Sequence, residues 1–468
     1  MKTHLPPRIR HGGFTYVAVV ITMIIVGTML AAYLKLVSVQ NQSTMRSQAW
    51  NRTVPVLEAG VEEALAHLNK NAAANMDGTF TLNLTSDGWN PTADGGWQKT
   101  AQLGDDVYVT KITQFVAGNY YPFIQSVGYV KQLPTLSLNR NAGFFMADIS
   151  LEQLISSGYV QRKVVCDTTN VPTYTKALVA KHGIDLKGNN VRTDSYVSTN
   201  SSYSTNGRYD LSKARDHGDI ASNDTITNSV NVGNANIFGC VATGPRGTVA
   251  VGPQGCVGDA AYQANAANRG TIQANHSSDD MNVEFPDQVM PAIAWGAMPL
   301  GGTVDGVSYN YIFDHSGDYQ MSLGTLSGKV LVAAPNVRLR IDTGWNFTGN
   351  DTLKVTTNAS IIIYMNCSSG NIGGNGIVNT GRANQCYVLG TKTLRTLGIG
   401  GNGEISAIVN APYADVTFNG SGNAITDFSG AAMANSFQFT GNFNFHYDEA
   451  LPRIAAYCGY RITSWNER

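Results

Sequence analysis

Charge is scarce in this chain of 468 residues. Only 14% of its residues are Asp, Glu, Lys or Arg, and the formal net charge is −1. A surface that binds nucleic acid needs clustered Lys and Arg side chains to neutralise phosphates. The composition therefore argues against a nucleic-acid partner. Hydrophobic residues make up 43% of the chain, too many for a disordered protein, and the length allows two or three domains.

The sequence also lacks the motifs of metal and cofactor sites. Its eight histidines are scattered without an HExxH motif, and none of its six cysteines forms a CxxC pair. Residues 398–403 match the letters of a GxGxxG motif. A dinucleotide site needs a helix after that motif, whereas residues 404–409 read as a strand. We interpret the motif as a turn between strands, and we expect no metal and no cofactor.

One long uncharged apolar run is present, at residues 14–34. As a helix it would be roughly 30 Å long, the thickness of the hydrocarbon core of a bilayer. The basic residues before it are Lys2, Arg8 and Arg10. By the positive-inside rule the N-terminus is cytoplasmic and the rest of the chain is exported. A plain signal anchor and a cleaved secretory signal are alternatives. The secretory signal is disfavoured because Met29 and Leu30 stand where small residues are wanted.

Residues 10–21 (RHGGFTYVAVVI) resemble the leader of type IV pilins and type II secretion pseudopilins. The resemblance implies that a prepilin peptidase removes the leader, residues 1–13, by cutting between Gly13 and Phe14, and that Phe14 is then N-methylated. It also implies a bacterial inner-membrane protein whose N-terminal helix contacts other pilin or pseudopilin subunits. Most members carry Glu at the fifth position after the cut, where this chain has Ala18. This departure resembles minor or tip-capping subunits and argues against bulk polymerisation.

After the apolar run, residues 35–70 are typical of an amphipathic helix. Pro55 is expected to kink this helix without ending it, and Trp50 can join its apolar face. Residues 58–65 (EAGVEEAL) are similar to minor pilins that lack the Glu. The alternative is a juxtamembrane helix that merely lies on its own domain. The apolar stripe consists of Val54, Leu57, Val61, Ala64, Leu65 and Leu68.

We predict that residues 71–174 form a small α+β region, because several segments with alternating apolar and polar residues follow the helix. The expected strands are residues 79–84, 107–112, 122–130 and 160–166. A long helix followed by such strands is also the arrangement of pilins. The paired carboxylates Asp105 and Asp106, like Asp279 and Asp280 further on, are expected in solvated loops.

From about residue 175 helical periodicity almost vanishes, and a period of eight appears. Residues 239–246 (GCVATGPR), 247–254 (GTVAVGPQ) and 255–258 (GCVG) place Val241, Val249 and Val257 in register. We interpret residues 175–450 as a right-handed parallel β-helix in a mainly β protein, with a β-sandwich as the alternative. Residues 451–468 form a C-terminal strand and tail. Further expected rungs are residues 328–335, 353–355, 361–364, 405–412 and 437–445.

An even number of cysteines in an exported chain permits disulfides. The octads suggest which of these cysteines are paired. If two octads make one coil, Cys240 and Cys256 stack at about the 4.8 Å strand spacing. We therefore predict that they are bonded. Similar spacing suggests Cys367 with Cys386, and Cys166 with Cys458 is the pair that remains.

These patterns together predict a structural, non-enzymatic subunit: a minor or tip component of a type IV pilus-like or type II secretion-like filament. Its β-helix is expected to be exposed, and ladders of Tyr, Asn and Thr would suit adhesion to surface carbohydrate. The rival function is a membrane-tethered β-helix lyase or glycoside hydrolase. No catalytic residue can be assigned for it. The densest stretch of acids and histidine consists of Asp210, Asp216, His217 and Asp219.

Overall fold

The structure is a computed structural model that describes residues 12–72, 84–113, 121–131, 159–188, 191–401, 403–420, 428–455 and 457–467. The chain divides into two compact units. The first unit contains residues 1–69, 83–169 and 460–468, and the second contains residues 70–82 and 170–459. The second unit is therefore inserted into the sequence of the first, just before its last strand.

The chain begins with one long helix, α1 (Gly12–Ala72), which continues through Pro55 as expected. Its 61 residues correspond to ~92 Å at 1.5 Å per residue. Trp50 does not join the buried face, contrary to expectation. Its side chain is 47% exposed, with the Arg162 guanidinium 4.9 Å from the ring centroid. The buried positions recur every three or four residues: Ala49, Thr53, Val56, Leu57, Gly60, Val61, Ala64 and Leu68.

The buried face of α1 belongs to a unit with a six-stranded sheet. The segments expected at residues 107–112, 122–130 and 160–166 are strands of this sheet, whereas residues 79–83 lie outside the described part of the chain. Strands β2 to β5 pair antiparallel in sequence order, and the C-terminal strand is next to β5. The strands are β1 (Asn90–Pro91), β2 (Trp97–Leu103), β3 (Asp106–Thr113), β4 (Phe123–Lys131), β5 (Tyr159–Pro172) and the C-terminal strand (Tyr457–Glu467); a 3₁₀ turn lies at Thr85–Asp87.

The second unit is a β-solenoid of about nine turns, which confirms the predicted architecture. Its coils stack through parallel strands, as between β22 and β25 or between β23 and β26 (bounds below), so a β-sandwich is excluded. Apolar side chains fill the interior, with Phe418 within 6 Å of several other phenylalanine rings. The solenoid forms in two stretches of sequence, which we call the first arm (residues 178–278) and the second arm (residues 296–448).

The first-arm strands are β6 (Leu178–Ala180), β7 (Ile184–Asp185), β8 (Arg192–Tyr196), β9 (Ile220–Ser222), β10 (Val230–Gly233), β11 (Asn236–Phe238), β12 (Val241–Ala242), β13 (Val249–Val251), β14 (Cys256–Gly258), β15 (Thr271–Ile272) and β16 (Ser277–Ser278). The second-arm strands are β17 (Gly296–Ala297), β18 (Gly302–Val304), β19 (Val307–Tyr309), β20 (Tyr311–Phe313), β21 (Gly317–Met321), β22 (Lys329–Val332), β23 (Val337–Ile341), β24 (Trp345–Phe347), β25 (Thr352–Val355), β26 (Ile361–Met365), β27 (Ser369–Ile372), β28 (Ile377–Asn379), β29 (Cys386–Gly390), β30 (Thr396–Gly401), β31 (Ile405–Gly420), β32 (Phe428–Thr440) and β33 (Asn444–Asp448). The short helices are α2 (Ala260–Gln263) and α3 (Leu451–Ile454), with 3₁₀ turns at Leu211–Lys213, Ala266–Asn268 and Ala383–Gln385.

The order of the coils along the solenoid differs from their order in the sequence. The last coil of the second arm stacks on the first coil of the first arm, because β32 pairs with β6 and β7, and β33 pairs with β8. We call this junction the seam. From the seam the first arm extends in one direction and the second arm in the other, so the chain enters the solenoid in its middle.

An extended segment, residues 279–295, connects the far end of the first arm to the far end of the second. We call it the strap. It runs along the outside of the coils, where its residues contact Thr243, then Asn223, then Lys181, then Tyr413 and finally Tyr364. These contacts descend coil by coil through the first arm and across the seam into the second arm. The strap thus spans most of the solenoid.

Each regular coil has three strands, so the solenoid has three faces. The strap face lies under the strap; the loop face is covered near the seam by the loop of residues 197–219; the open face is the third. The strap face comprises β6, β9, β12, β16, β21, β23, β26, β29 and the middle parts of β31 and β32. The loop face comprises β8, β11, β14, β20, β22, β25, β28, β33 and the beginnings of β31 and β32. The open face comprises β7, β10, β13, β24, β27, β30 and the ends of β31 and β32.

The octad repeat does not correspond to half a coil, and that expectation was wrong. Val241 lies in β12 on the strap face, Val249 in β13 on the open face, and Val257 in β14 on the loop face. The three octads therefore form three successive sides of one coil. The valines of successive octads therefore lie on different faces and do not stack on one another.

The predicted Cys240–Cys256 and Cys367–Cys386 disulfides are not formed in the structure, where these four cysteines are free thiols. Cys256 stacks on Asn236, whereas Cys240 precedes β12 on another face. Cys386 begins β29 and stacks on Ile361, whereas Cys367 follows the far end of β26. The side chain of Cys458 lies outside the described residues, so its predicted pairing with Cys166 stays a prediction.

Candidate functional site

The first part of α1 presents an apolar surface. We call residues 15–48 the stem. Its side chains are exposed with the exception of Val37, which is half-buried, and the large apolar ones include Tyr16 at 74% and Met23 at 70% exposure. This helix is long and apolar enough to span a membrane. Burial of apolar surface away from water is favourable, so the stem is suited to contact with a bilayer or a protein partner.

The positions expected to be processed lie at the start of the stem. Gly13 and Phe14 fall in the first turn of α1, and the Phe14 side chain is outside the described residues. Ala18 is exposed, and its carbonyl oxygen accepts a hydrogen bond from Thr22 Oγ1 at 2.8 Å. Position 18 therefore offers a neighbouring chain a methyl group and no charge.

The C-terminal part of α1 is fixed to the sheet by polar side chains, one of which the sequence analysis placed in solvent. Asp106 is 6% exposed; its Oδ2 lies 2.7 Å from Arg52 and its Oδ1 accepts from the Lys131 amide at 3.2 Å. Its expected place in a solvated loop was wrong. Glu63 accepts hydrogen bonds from Lys99 Nζ at 2.7 Å and Tyr108 Oη at 2.9 Å. Burial, together with the bond to Glu63, raises the pKa of Tyr108 to about 12.

The helix and the sheet approach most closely at Gly60. A Cβ atom at this position would lie 2.3 Å from Thr110 Oγ1 and 2.4 Å from Ser126 Oγ. Both hydroxyls belong to buried residues. Glycine is therefore required by the contact between α1 and strands β3 and β4, and its backbone conformation is ordinary helix.

The structure shows contacts for each of the four residues named for the enzyme alternative. Asp210 caps the turn Leu211–Lys213 by accepting from the Ser212 amide. Asp216 accepts from the Ala260 amide at 3.2 Å. Asp210 thus stabilises its own turn, whereas Asp216 contacts the first residue of α2.

The other two residues of that stretch, Asp219 and His217, contact other parts of the second unit. Asp219 accepts from the Cys240 amide at 2.8 Å and pairs with Lys176 at 3.3 Å. His217 Nδ1 lies 3.0 Å from Glu449 Oε1, a residue that the sequence did not single out. Each of the four side chains therefore makes at least one hydrogen bond within the second unit.

The structure instead brings together a buried polar group at the seam, which we call the seam cluster: Arg192, Asp194, Tyr209 and His446. Asp194 and His446 are fully buried and in hydrogen-bond contact through His446 Nδ1. Asp194 Oδ2 also accepts from Arg192 Nε at 2.7 Å and from Tyr209 Oη at 2.8 Å. The Tyr209 ring stacks on His446 with centroids 3.5 Å apart. Asp194 and His446 are 252 residues apart in sequence, so no local motif could reveal them.

Beside the seam cluster, the Glu449 carboxylate is contacted by three other side chains. It accepts from Ser195 Oγ at 2.7 Å and pairs with Arg215 Nε at 3.0 Å as well as with His217. Burial raises the pKa of Glu449, but the hydrogen bonds from His217 and Ser195 outweigh burial and leave that pKa below its usual value. The bond to Glu449 in turn raises the pKa of His217.

These contacts join β8 to the residue that follows β33. The Ser195 hydroxyl donates to the Glu449 carboxylate and its oxygen accepts from the His217 backbone amide. Among the residues that the structure describes, no three His, Cys, Asp or Glu side chains converge on a metal position. The GxGxxG letters lie largely on β30, where Gly398 pairs with Thr417, so the expected turn is in fact mainly strand.

Comparisons with known proteins match only parts of this arrangement. A family model described as "Domain of unknown function (DUF7305)" matches residues 301–454, which include most of the second arm and make up less than half of the chain. No curated protein matches the chain. Among solved structures, the chain is similar to the crystal structure of the competence-associated pilin ComZ from Thermus thermophilus. That match has 10% identity and a TM-score of 0.24 and covers 89% of this chain and 96% of the other; a score this low supports no further conclusion.

Proposed function

We propose that this chain is a membrane-anchored, pilin-like subunit of the bacterial envelope that carries an exported β-solenoid. The observation that carries the proposal is the division of α1. Its first part is an exposed apolar stem, and its last part packs on an antiparallel sheet. Such a helix can be held in the membrane or by neighbouring helices while its unit remains folded outside.

The position in the filament is proposed to be that of a minor or tip subunit. In a bulk subunit a carboxylate near the N-terminus meets the terminal amine of the neighbour, and Ala18 cannot do this. The size of the inserted solenoid also favours a subunit present in few copies. Its partners are proposed to be pilin or pseudopilin subunits through the stem, and a prepilin peptidase at the leader.

Intact-mass analysis tests the anchor and its processing. The chain should be expressed in cells that have a prepilin peptidase. We expect it to lack residues 1–13 and to carry one methyl group on Phe14. A Gly13→Val variant should retain the leader, whereas a Gly12→Ala control should be processed. A mature chain that begins at Met1 or near Ala32 would contradict the proposal.

For the solenoid we propose a binding role, including adhesion, and no catalysis. The contacts of the dense stretch of acids and histidine support this, because each of its four side chains already makes a hydrogen bond within the solenoid. These side chains are Asp210, Asp216, His217 and Asp219. Incubation with polysaccharides should leave their chain length unchanged. Shortening that is lost in a His217→Ala variant would contradict the proposal.

A further inference from the structure

The open face differs from the other two because none of the second-unit residues that the structure describes crosses it. The strap crosses one face, and the loop of residues 197–219 covers the other at the seam, where Tyr209 lies on His446. On the open face, outward side chains remain accessible from β24 in the second arm to β10 and β13 in the first. The face is thus continuous across the seam.

One column of outward residues runs the length of this face. Each member is aligned with the next by strand pairing, over eight strands. At ~4.8 Å between strands the column is about 34 Å long. We call it the polar column. Its members, in order along the solenoid, are Asn346, Asn371, Gly398, Thr417, Gln438, Asp185, Asn231 and Ala250.

The chemistry of the polar column is uniform. It contains amides, a hydroxyl and small residues, with no aromatic side chain and no Lys or Arg. Its single charge, Asp185, is paired with Lys187 Nζ at 2.8 Å. Flanking strand positions have the same character, with Ser369, Thr396, Asp415 and Ser436 in register on one side. The surface is flat, polar and almost uncharged.

The face is also rigid. Between the outward residues, inward side chains such as Val416, Phe418 and Phe437 are buried in the core. Within the column, Asn371 Nδ2 donates to Asn346 Oδ1 at 3.1 Å and Asn231 Nδ2 donates to Asp185 Oδ1 at 3.1 Å. Side chains held in this way lose little conformational entropy when a ligand binds.

We propose that the open face binds a neutral, linear polysaccharide. A polyanion such as nucleic acid needs cationic side chains, which the column lacks. A protein partner would normally be anchored by Trp, Tyr or Arg in desolvated pockets, and these are absent as well. A neutral polysaccharide presents hydroxyl groups at every sugar, and the column offers donors and acceptors at every strand. Many weak contacts of this kind add up through avidity when several copies face one surface.

This inference rests on the proposed export of the second unit, but it is tested separately. Detergent-solubilised full-length protein should be sedimented with insoluble cellulose or chitin, and with an immobilised acidic polysaccharide for comparison. We expect retention on at least one neutral polymer, unchanged at high salt because no ion pair is involved. Little retention is expected on the acidic polymer.

Two substitutions that introduce charge test whether the open face is the binding surface. Thr417 and Gln438 are adjacent members of the column, and long charged side chains there would hold a polymer away from it. We expect Thr417→Arg with Gln438→Arg to weaken retention by about tenfold, equivalent to one or two hydrogen bonds. The matched control, Thr303→Arg with Ser308→Arg, places the same charges on paired exposed positions of the β18–β19 hairpin and should have no effect.

Three results would overturn the inference. They are no retention on any neutral polymer, equal loss in both double variants, and salt-sensitive retention on the acidic polymer alone. Self-association that only the open-face variant abolishes, without polymer binding, would assign the face to a second copy of the chain. A correctly processed, methylated chain that fails to bind would reject this inference and leave the proposed function intact.

Discussion

Two small residues on α1 determine how its two parts can be used. Ala18 leaves the stem without a carboxylate, so the stem offers only apolar contacts at that position. Gly60 allows the C-terminal part to approach the sheet closely enough to touch the Thr110 and Ser126 hydroxyls. One residue defines the chemistry of the stem at its start, and the other sets the packing of α1 on the sheet.

We expect Gly60→Ala to destabilise the packing of α1 on the sheet by about 1–3 kcal/mol, because the added methyl group overlaps two buried hydroxyls. Amide hydrogen exchange of β3 and β4 should become faster. Gly27→Ala is the matched control, since nothing lies within 4 Å of a Cβ atom there. Equal exchange in both variants would contradict the tight contact.

At the level of elements, the strap is held by a few specific contacts. Lys181 Nζ lies 4.1 Å from the centroid of the Tyr413 ring and 5.6 Å from that of Phe285 in the strap. Asp287 pairs with Lys392 at 2.7 Å. Near the end of the strap, Trp295 packs edge-on to Tyr364 with centroids 6.1 Å apart. The strap is therefore attached to both arms.

Removing the aromatic contact should loosen the strap. We expect Trp295→Ala to cost about 2 kcal/mol, because the half-buried ring loses its apolar contacts. Limited proteolysis should then cut residues 279–295 faster than in the wild type. Val289→Ala serves as the control, since that strap side chain is 70% exposed. Identical cleavage of the two variants would show that Trp295 does not hold the strap.

Elements that follow a local pattern could be predicted from the sequence. The uncharged run and the spacing of Leu57, Val61, Ala64 and Leu68 predicted α1, because helical periodicity depends on neighbours a few residues apart. The prediction that Trp50 joins the apolar face failed because its ring packs against Arg162, which is distant in sequence. The octads predicted a solenoid but not its coil, because closure of a coil depends on corner geometry and not on the period alone.

At the scale of the whole molecule, the seam is where distant parts of the sequence meet. Five residue pairs between β33 and β8 join the arms, and the seam cluster lies on these strands. The sequence could not reveal this, because an eight-residue period is the same whether coils stack in sequence order or not. The candidate site was missed for the same reason, since Asp194 carries no local signal that points to His446.

We expect Asp194→Ala to destabilise the solenoid by about 3–5 kcal/mol, because Arg192, Tyr209 and His446 lose the buried carboxylate that they share. His446→Ala should cost less, since Asp194 keeps its hydrogen bonds from Arg192 and Tyr209. The double variant should cost clearly less than the sum, since both remove the same interaction. Denaturant unfolding measures all three. Asp318→Ala is the control. It breaks a partly exposed pair with Arg338, worth about 1 kcal/mol or less. Strict additivity would show that the pair does not join the arms.

The position of the seam has a mechanical consequence. The chain enters the solenoid at Leu178 and leaves it after Asp448, and the strands of both residues, β6 and β33, pair with β32. A pulling force applied at these two points would therefore be carried first by the hydrogen bonds of β6 and β33 to β32, β8 and β9. The coils further from the seam in either arm lie outside that path. The eight-strand open face would thus extend to either side of the loaded point and keep its strand spacing while the chain is under strain.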